Sequence, residues 1–100
     1  MSAALYVSYP RAGDSRFDRD YYVATHLPLV ERAWGPFGLS AADAFFPTSD
    51  SAQAVAVAVL TFANDAAIDT ALASPETPAV LADVANFTDI VPIVARGVVL

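Results

Sequence analysis

The residue of this chain best suited to acid–base chemistry is its single histidine, His26. It lies in Thr25-His26-Leu27-Pro28, inside a stretch whose spacing predicts a helix. Because proline removes a backbone hydrogen bond and clashes with the preceding turn, the helix should kink near residues 25–28 or begin again at Pro28. A histidine at such a kink can donate one ring proton to a free carbonyl and keep its other nitrogen as a base. His26 is therefore a candidate catalytic acid/base, and the alternative is a structural histidine that ties down the kink.

Two aromatic residues near His26 could help to form a ligand pocket. Helical spacing places Tyr22 on the same face as His26, among apolar neighbours, and an apolar wall with one phenol suits a small-molecule site. Trp34 follows the helix and could line the same pocket, or could be an ordinary core or dimer-contact residue. The adjacent Tyr21 falls on the apolar stripe of the helix and is predicted to pack in the core.

A polar cluster interrupts the apolar C-terminal third of the chain, at residues 83–89. Asp83 could orient or polarise His26 if the two side chains meet in space. The alternative is that this cluster only serves helix-end and turn structure, which Asp, Asn and Thr favour. We predict the following substrate-binding residues: Tyr22, Trp34, Asp83, Asn86 and Phe87.

The composition excludes several classes of site. There is no cysteine, which excludes disulfides, thiolate metal sites and thiol catalysis, and one histidine excludes sites that need two imidazoles. We therefore expect no metal and no cofactor. The net charge is −6, with five arginines and no lysine, so binding to nucleic acid or to an anionic membrane is not expected. With no apolar run of about 20 residues and no signal-peptide pattern, we expect a cytoplasmic protein.

The elements that would position these residues follow from periodicity and from breaker residues. Ser15 is the expected N-cap of the first helix. The predicted order is β-α-β-β-α-β, which indicates a single α+β domain, residues 1–100, with a ferredoxin-like fold. The predicted strands are Ala3–Tyr9, Leu39–Phe46, Gln53–Phe62 and Ile90–Leu100, and the predicted helices are 16–31, 66–73 and 79–85.

The low content of charged residues predicts a homodimer. Charged residues make up 16% of the chain, against roughly 25% in ordinary soluble domains, so a domain of this size should hide apolar surface in a second copy. The strand Gln53–Phe62 alternates Val and Ala, so both of its faces are apolar and we expect burial on both sides.

The chain resembles the EthD family along nearly its whole length. The resemblance is carried by the following motifs: Tyr9-Pro10, Phe17-Asp18, Tyr21-Tyr22, Thr25-His26-Leu27-Pro28-Leu29-Val30, Trp34-Gly35-Pro36, Gly38 and Asp83-Val84-Ala85-Asn86-Phe87-Thr88-Asp89. It implies a ferredoxin-like subunit that pairs into a dimeric α+β barrel. Proteins similar to this family include muconolactone isomerases, small polyketide cyclases and cofactor-free monooxygenases, and the family name refers to ether degradation. In related isomerases the equivalent of His26 lies at the active cavity, between the sheet and the helices.

Three functions remain open at this point. The first is a small cofactor-independent enzyme, of isomerase, cyclase or oxygenase type, acting on a small apolar, aromatic or lactone substrate with His26 as acid/base. The second is a non-catalytic dimeric module that binds an apolar metabolite, and the third is a structural or partner-binding role without a cavity. Loss of turnover in His26→Ala would favour the first, and release of an unchanged ligand would favour the second.

Overall fold

A computed structural model describes residues 2–49 and 51–100. Its centre is a four-stranded antiparallel sheet with the order β2-β3-β1-β4. This order, with helices in both crossovers, is the predicted α+β ferredoxin-like arrangement. The strands are β1 (Ser2–Pro10), β2 (Leu39–Phe45), β3 (Ala54–Phe62) and β4 (Ile93–Val99).

The first helical region begins later than the sequence pattern indicates. Its first segment, α1 (Arg19–Tyr21), is capped by Asp18, whose Oδ1 accepts the Tyr21 amide at 3.1 Å. The expected cap, Ser15, lies outside the helix. The reason is long-range pairing, because Phe17 forms a β-bridge with Thr88 and holds the preceding residues extended.

The expected kink before Pro28 is a single π-helical turn, Tyr22–His26. The amide of Leu27 bonds to the carbonyl of Tyr22, five residues back instead of four. This wider turn accommodates the loss of the proline amide, and α2 (Leu27–Trp34) then begins with Pro28 in its first turn, where proline is tolerated. Such turns are frequent at functional sites.

The second crossover contains two short helices. The first, α3 (Asp65–Ala73), is capped by Asn64, whose Oδ1 accepts the Ala67 amide at 2.8 Å. The second, α4 (Thr77–Asp83), begins two residues earlier than predicted, with a proline in its first turn. Two 3₁₀ turns follow helices, at Gly35–Phe37 after α2 and at Val84–Asn86 after α4. In the described ranges no helix is both long and apolar enough to cross a membrane.

The two faces of the sheet differ in what covers them. On β3, Ala56 and Ala58 are buried beneath the helices, where small side chains leave room for helical ones. The valines of the other face are only half-buried, so the predicted burial of both faces is not achieved within one chain. We call this second surface the open face. Large side chains on it are strongly exposed: Tyr6, Phe45, Ile93 and Val99.

Candidate functional site

The structure brings His26 and Asp83 together, although they are 57 positions apart in the sequence. His26 ends the π turn and Asp83 ends α4, so the packing of these two segments sets the distance between the side chains. His26 Nδ1 lies 2.9 Å from Asp83 Oδ2, and the two side chains are 6% and 11% exposed. This is hydrogen-bond distance in a largely desolvated place, where an ionic hydrogen bond is strong.

Two further donors converge on Asp83. The Tyr21 hydroxyl donates to Oδ1 at 2.6 Å, and the Asn86 amide donates to the same oxygen at 3.0 Å. Burial acts to raise the pKa of Asp83, but the hydrogen bonds from Tyr21, Asn86 and His26 outweigh it and hold that pKa below its usual value. Asp83 is therefore ionised at neutral pH.

The charge of Asp83 fixes the tautomer of His26. A carboxylate can only accept hydrogen bonds, so the ring proton of a neutral His26 must lie on Nδ1. The lone pair then lies on Nε2, the nitrogen that remains for a ligand. This is the arrangement in which an imidazole acts as a general base.

Aromatic rings hold the imidazole in place. The Tyr22 ring stacks on it with centroids 5.5 Å apart and an angle of 24° between the planes. The Phe87 ring packs on it at 4.6 Å. Tyr22 and Phe87 are themselves almost completely buried, so the histidine ring has little freedom to turn.

His26 lines an apolar cavity of about 110 Å³ between the sheet and the helices. Cavities of this order admit a single small ring. Leu5, Ala58 and Leu60 form its floor from the sheet, and residues of α2 and α4 cover it. Two exposed leucines, Leu72 and Leu81, line its outer part, so the cavity opens between the second crossover and the edge of the sheet.

The predicted site residues divide into two groups. Tyr22, His26 and Trp34 line the cavity. Trp34 contributes only its ring, because its Nε1–H donates to the buried Thr77 hydroxyl at 3.0 Å. The other three are not among the lining residues: Asp83 and Phe87 contact the imidazole, and Asn86 donates to Asp83. Their direct contact with a ligand stays a prediction.

Two tyrosines at the site were not predicted as site residues. Tyr21, assigned to the core by helical periodicity, is half-buried and bonds to Asp83, which raises its own pKa. Tyr9 ends the buried face of β1 and lines the cavity. Burial raises the pKa of Tyr9 to about 12, and it raises that of Tyr22 further. Tyr9 could have been found from the sequence, because it places a hydroxyl on the same face of the strand as the apolar Leu5 and Val7.

No group of three or more acidic or imidazole side chains that could hold a metal occurs in residues 2–49 and 51–100. His26 and Asp83 together offer one ring nitrogen and one carboxylate, and these two groups are hydrogen-bonded to each other. What the arrangement can do by itself is accept, hold and return a proton at Nε2, beside an apolar cavity.

The model of the EthD domain family matches residues 13–90. No curated protein matches the sequence significantly. Among solved structures, an EthD-like protein from Ralstonia eutropha superposes with a TM-score of 0.81 at 24% identity, covering 96% of this chain and 89% of that one. An ethyl tert-butyl ether d (EthD) family protein from Bacillus halodurans gives 0.78 at 17% identity, with both chains covered completely. A dimeric ferredoxin-like protein of unknown function from Jannaschia gives 0.68 at 14% identity, covering 99% and 100%.

Proposed function

The chain belongs to the EthD domain family, and from this premise we propose that it is an enzyme in which His26 moves a proton on a small apolar substrate. The observation that carries the proposal is the position of His26, which is bonded to an ionised Asp83 at Nδ1 and lines an apolar cavity. The reaction would be an isomerisation, a cyclisation or an oxygenation, since each can begin with such a proton transfer. The acid/base is a side chain of this chain rather than a bound cofactor.

In the proposed cycle, Nε2 of His26 removes a proton from the substrate. The imidazolium that results faces the carboxylate of Asp83 at 2.9 Å, and this charge pair stabilises it. In an isomerase the same nitrogen returns the proton at a different carbon, so His26 ends in its starting state. Asp83 is a positioning residue in this scheme, because it acts through His26 and does not line the cavity.

The walls of the cavity limit the class of substrate. All five arginines of the chain lie outside the set of lining residues, so an anionic substrate would find no cationic partner there. Its volume of about 110 Å³ suits a single ring or a short branched chain. The name of the Bacillus halodurans relative refers to ethyl tert-butyl ether, which is also small, neutral and mostly apolar. We propose a neutral aromatic, lactone or similarly small oxygen-containing substrate.

The open face supports a second part of the proposal, a homodimer. Its exposed Phe45 and Ile93 would be costly to leave in water, and they form part of a broad apolar surface with no helix over it. The Jannaschia relative is a dimeric ferredoxin-like protein. We propose that two chains pack their open faces together into a dimeric α+β barrel, with one cavity in each chain on the far side of its sheet.

A titration of the His26 ring signals by NMR tests the proposed site, since the chain has no other histidine. Small phenols, quinones and lactones are added in turn to untagged protein. We expect one class to move the ring signals and to be converted, with conversion falling about 10²- to 10⁴-fold in His26→Gln. The control is Val23→Gln, which introduces the same side chain on the same π turn at a position that is 51% exposed.

Two results would contradict the proposal. Conversion by His26→Gln within a few-fold of the unmodified protein would exclude His26 as the acid/base. A ligand that binds beside His26 and is recovered unchanged under every condition would favour the binding module instead.

A further inference from the structure

The cavity offers a ligand very few polar atoms. Only four of its lining side chains carry one: Tyr9, Tyr22, His26 and Trp34. Trp34 Nε1 is already bonded to Thr77, and His26 Nδ1 is bonded to Asp83. Three polar atoms remain for a ligand, namely His26 Nε2 and the hydroxyl oxygens of Tyr9 and Tyr22.

The two phenols form a pair beside the imidazole. The Tyr9 and Tyr22 rings meet edge to face with centroids 5.9 Å apart, and Tyr22 also stacks on His26. Both hydroxyl-bearing rings line the same cavity as His26. A phenol O–H donates one hydrogen bond, so both hydroxyls can donate to the same ligand oxygen.

We propose that the hydroxyls of Tyr9 and Tyr22 form an oxygen-binding subsite, which donates hydrogen bonds to the substrate oxygen while His26 removes a proton from the carbon next to the carbonyl or, in a phenol, from that oxygen itself. The substrates are then enolisable carbonyl compounds, including lactones, or phenols. This inference rests on the proposed function of His26, and it adds the class of substrate that the same cavity would bind.

The proposed proton transfer involves only the substrate and His26. For a carbonyl compound, the C–H bond next to the carbonyl breaks and its proton goes to Nε2. Its electron pair forms a C=C bond, and the π electrons of the C=O bond move to oxygen, giving an enolate. For a phenol, the O–H proton goes to Nε2 and leaves a phenolate. In both cases negative charge develops on the oxygen that the tyrosine pair contacts, and a donor placed there favours the transition state over the neutral substrate.

The environment of the pair suits a donor that keeps its proton. Tyr9 and Tyr22 are 2% and 1% exposed. Burial raises the pKa of Tyr9 to about 12 and raises the pKa of Tyr22 as well. Both phenols are therefore neutral at physiological pH and keep the protons that they would donate, in a desolvated site where a hydrogen bond is stronger than in water.

Binding of 4-nitrophenol tests the subsite, because the absorbance of the bound molecule reports how much of it is phenolate. Nitrobenzene serves as the matched ligand without the hydroxyl. The variants are Tyr9→Phe and Tyr22→Phe, which keep the rings that pack the core, and Tyr6→Phe on the open face is the control. We expect both cavity variants to bind the phenolate about 10- to 100-fold more weakly, the range for a hydrogen bond to a charged group, with nitrobenzene binding unchanged.

The possible failures point to different parts of the reasoning. If both cavity variants bind 4-nitrophenol as tightly as Tyr6→Phe does, and His26→Gln weakens binding, the subsite is wrong and the role of His26 stands. If the unmodified protein binds neither 4-nitrophenol nor nitrobenzene, the proposed function and the subsite both fall. Unchanged nitrobenzene binding also establishes that each variant has kept its fold and its cavity.

Discussion

Replacing Asp83 by asparagine should move the ring proton of His26 from one nitrogen to the other. The carboxylate accepts three hydrogen bonds, from Tyr21 at 2.6 Å, from His26 at 2.9 Å and from Asn86 at 3.0 Å. An asparagine has one acceptor oxygen and one NH₂ donor. Two donors converge on the Oδ1 position and one on the Oδ2 position, so the amide oxygen should occupy the former. The NH₂ group would then face His26 Nδ1, which must give up its proton to accept the new bond.

The expected consequences follow from this geometry. Nε2 would carry the proton and could no longer act as a base, so any proton transfer should fall by about 10²- to 10⁴-fold. A hydrogen bond to a charged group stabilises by at least about 0.5 kcal/mol more than a neutral one. Three bonds lose their charged acceptor, so the free energy of unfolding should fall by about 1.5 kcal/mol. This value uses the smallest difference for each bond, because the Asp83 side chain is still 11% exposed to solvent. For a domain of this size that corresponds to a decrease in Tm of about 6–12 °C.

Two measurements check this prediction. Two-dimensional ¹⁵N NMR of the single histidine identifies the protonated ring nitrogen directly, and thermal unfolding gives the change in stability. Asp14→Asn is the matched control, because Asp14 is exposed in the loop after β1 and the change in net charge is the same. A variant that keeps its proton on Nδ1, and is as stable as the control, would refute the proposed charge-fixed tautomer.

Three further predictions concern the pH dependence of stability, a glycine turn and the open face. The pKa of Asp83 is lowered by folding, so the stability it confers is present above its unfolded pKa of about 3.9 and is lost as pH falls through the folded pKa. Tyr21→Phe removes one lowering hydrogen bond and so raises the folded pKa of Asp83. Denaturant unfolding at several acid pH values should therefore show a smaller loss in this variant, and one that is complete at a higher pH. Gly38→Ala should lower the free energy of unfolding in urea by about 1–3 kcal/mol, because Gly38 has φ +105° and a Cβ there would lie 2.8 Å from a side chain of α3. The control Gly35→Ala, which has open space around it, should lower it by less than about 0.5 kcal/mol. Phe45 is 65% exposed on the open face, so Phe45→Glu should disrupt the proposed dimer and sediment as a single chain in analytical ultracentrifugation. An unmodified protein that also sediments as a monomer would contradict the dimer.

The element order was predictable because each element has a local cause. Alternation of apolar and small residues gives the strands, and breakers such as Pro10 and Pro47 delimit them. The restart of the helix near Pro28 was also predictable, since a missing amide has a local effect that no tertiary context removes. The match of the EthD domain family model to residues 13–90 confirms the resemblance inferred from the spacing of the motifs.

The start of the first helix could not be read from local signals. Ser15 is a residue type that often caps helices. The helix is nevertheless capped by Asp18, because the bridge between Phe17 and Thr88, which are 71 positions apart, keeps the residues before Asp18 extended. Similarly, the regular helical period placed Tyr21 in the core. The Tyr21 ring does pack against the core, stacked on Phe87, but the helical period gave no indication that its hydroxyl would bond to Asp83.

By itself, the sequence determined which chemistry was possible: one histidine, no thiol, few charges and a chain order that produces a ferredoxin-like fold. Only the tertiary structure decided what that histidine does. The contact of His26 with Asp83, and the cavity that His26 lines together with Tyr9, come from segments far apart in the chain. Such contacts depend on how helices pack on a sheet, and that packing is set by the volumes of many side chains together rather than by any local pattern.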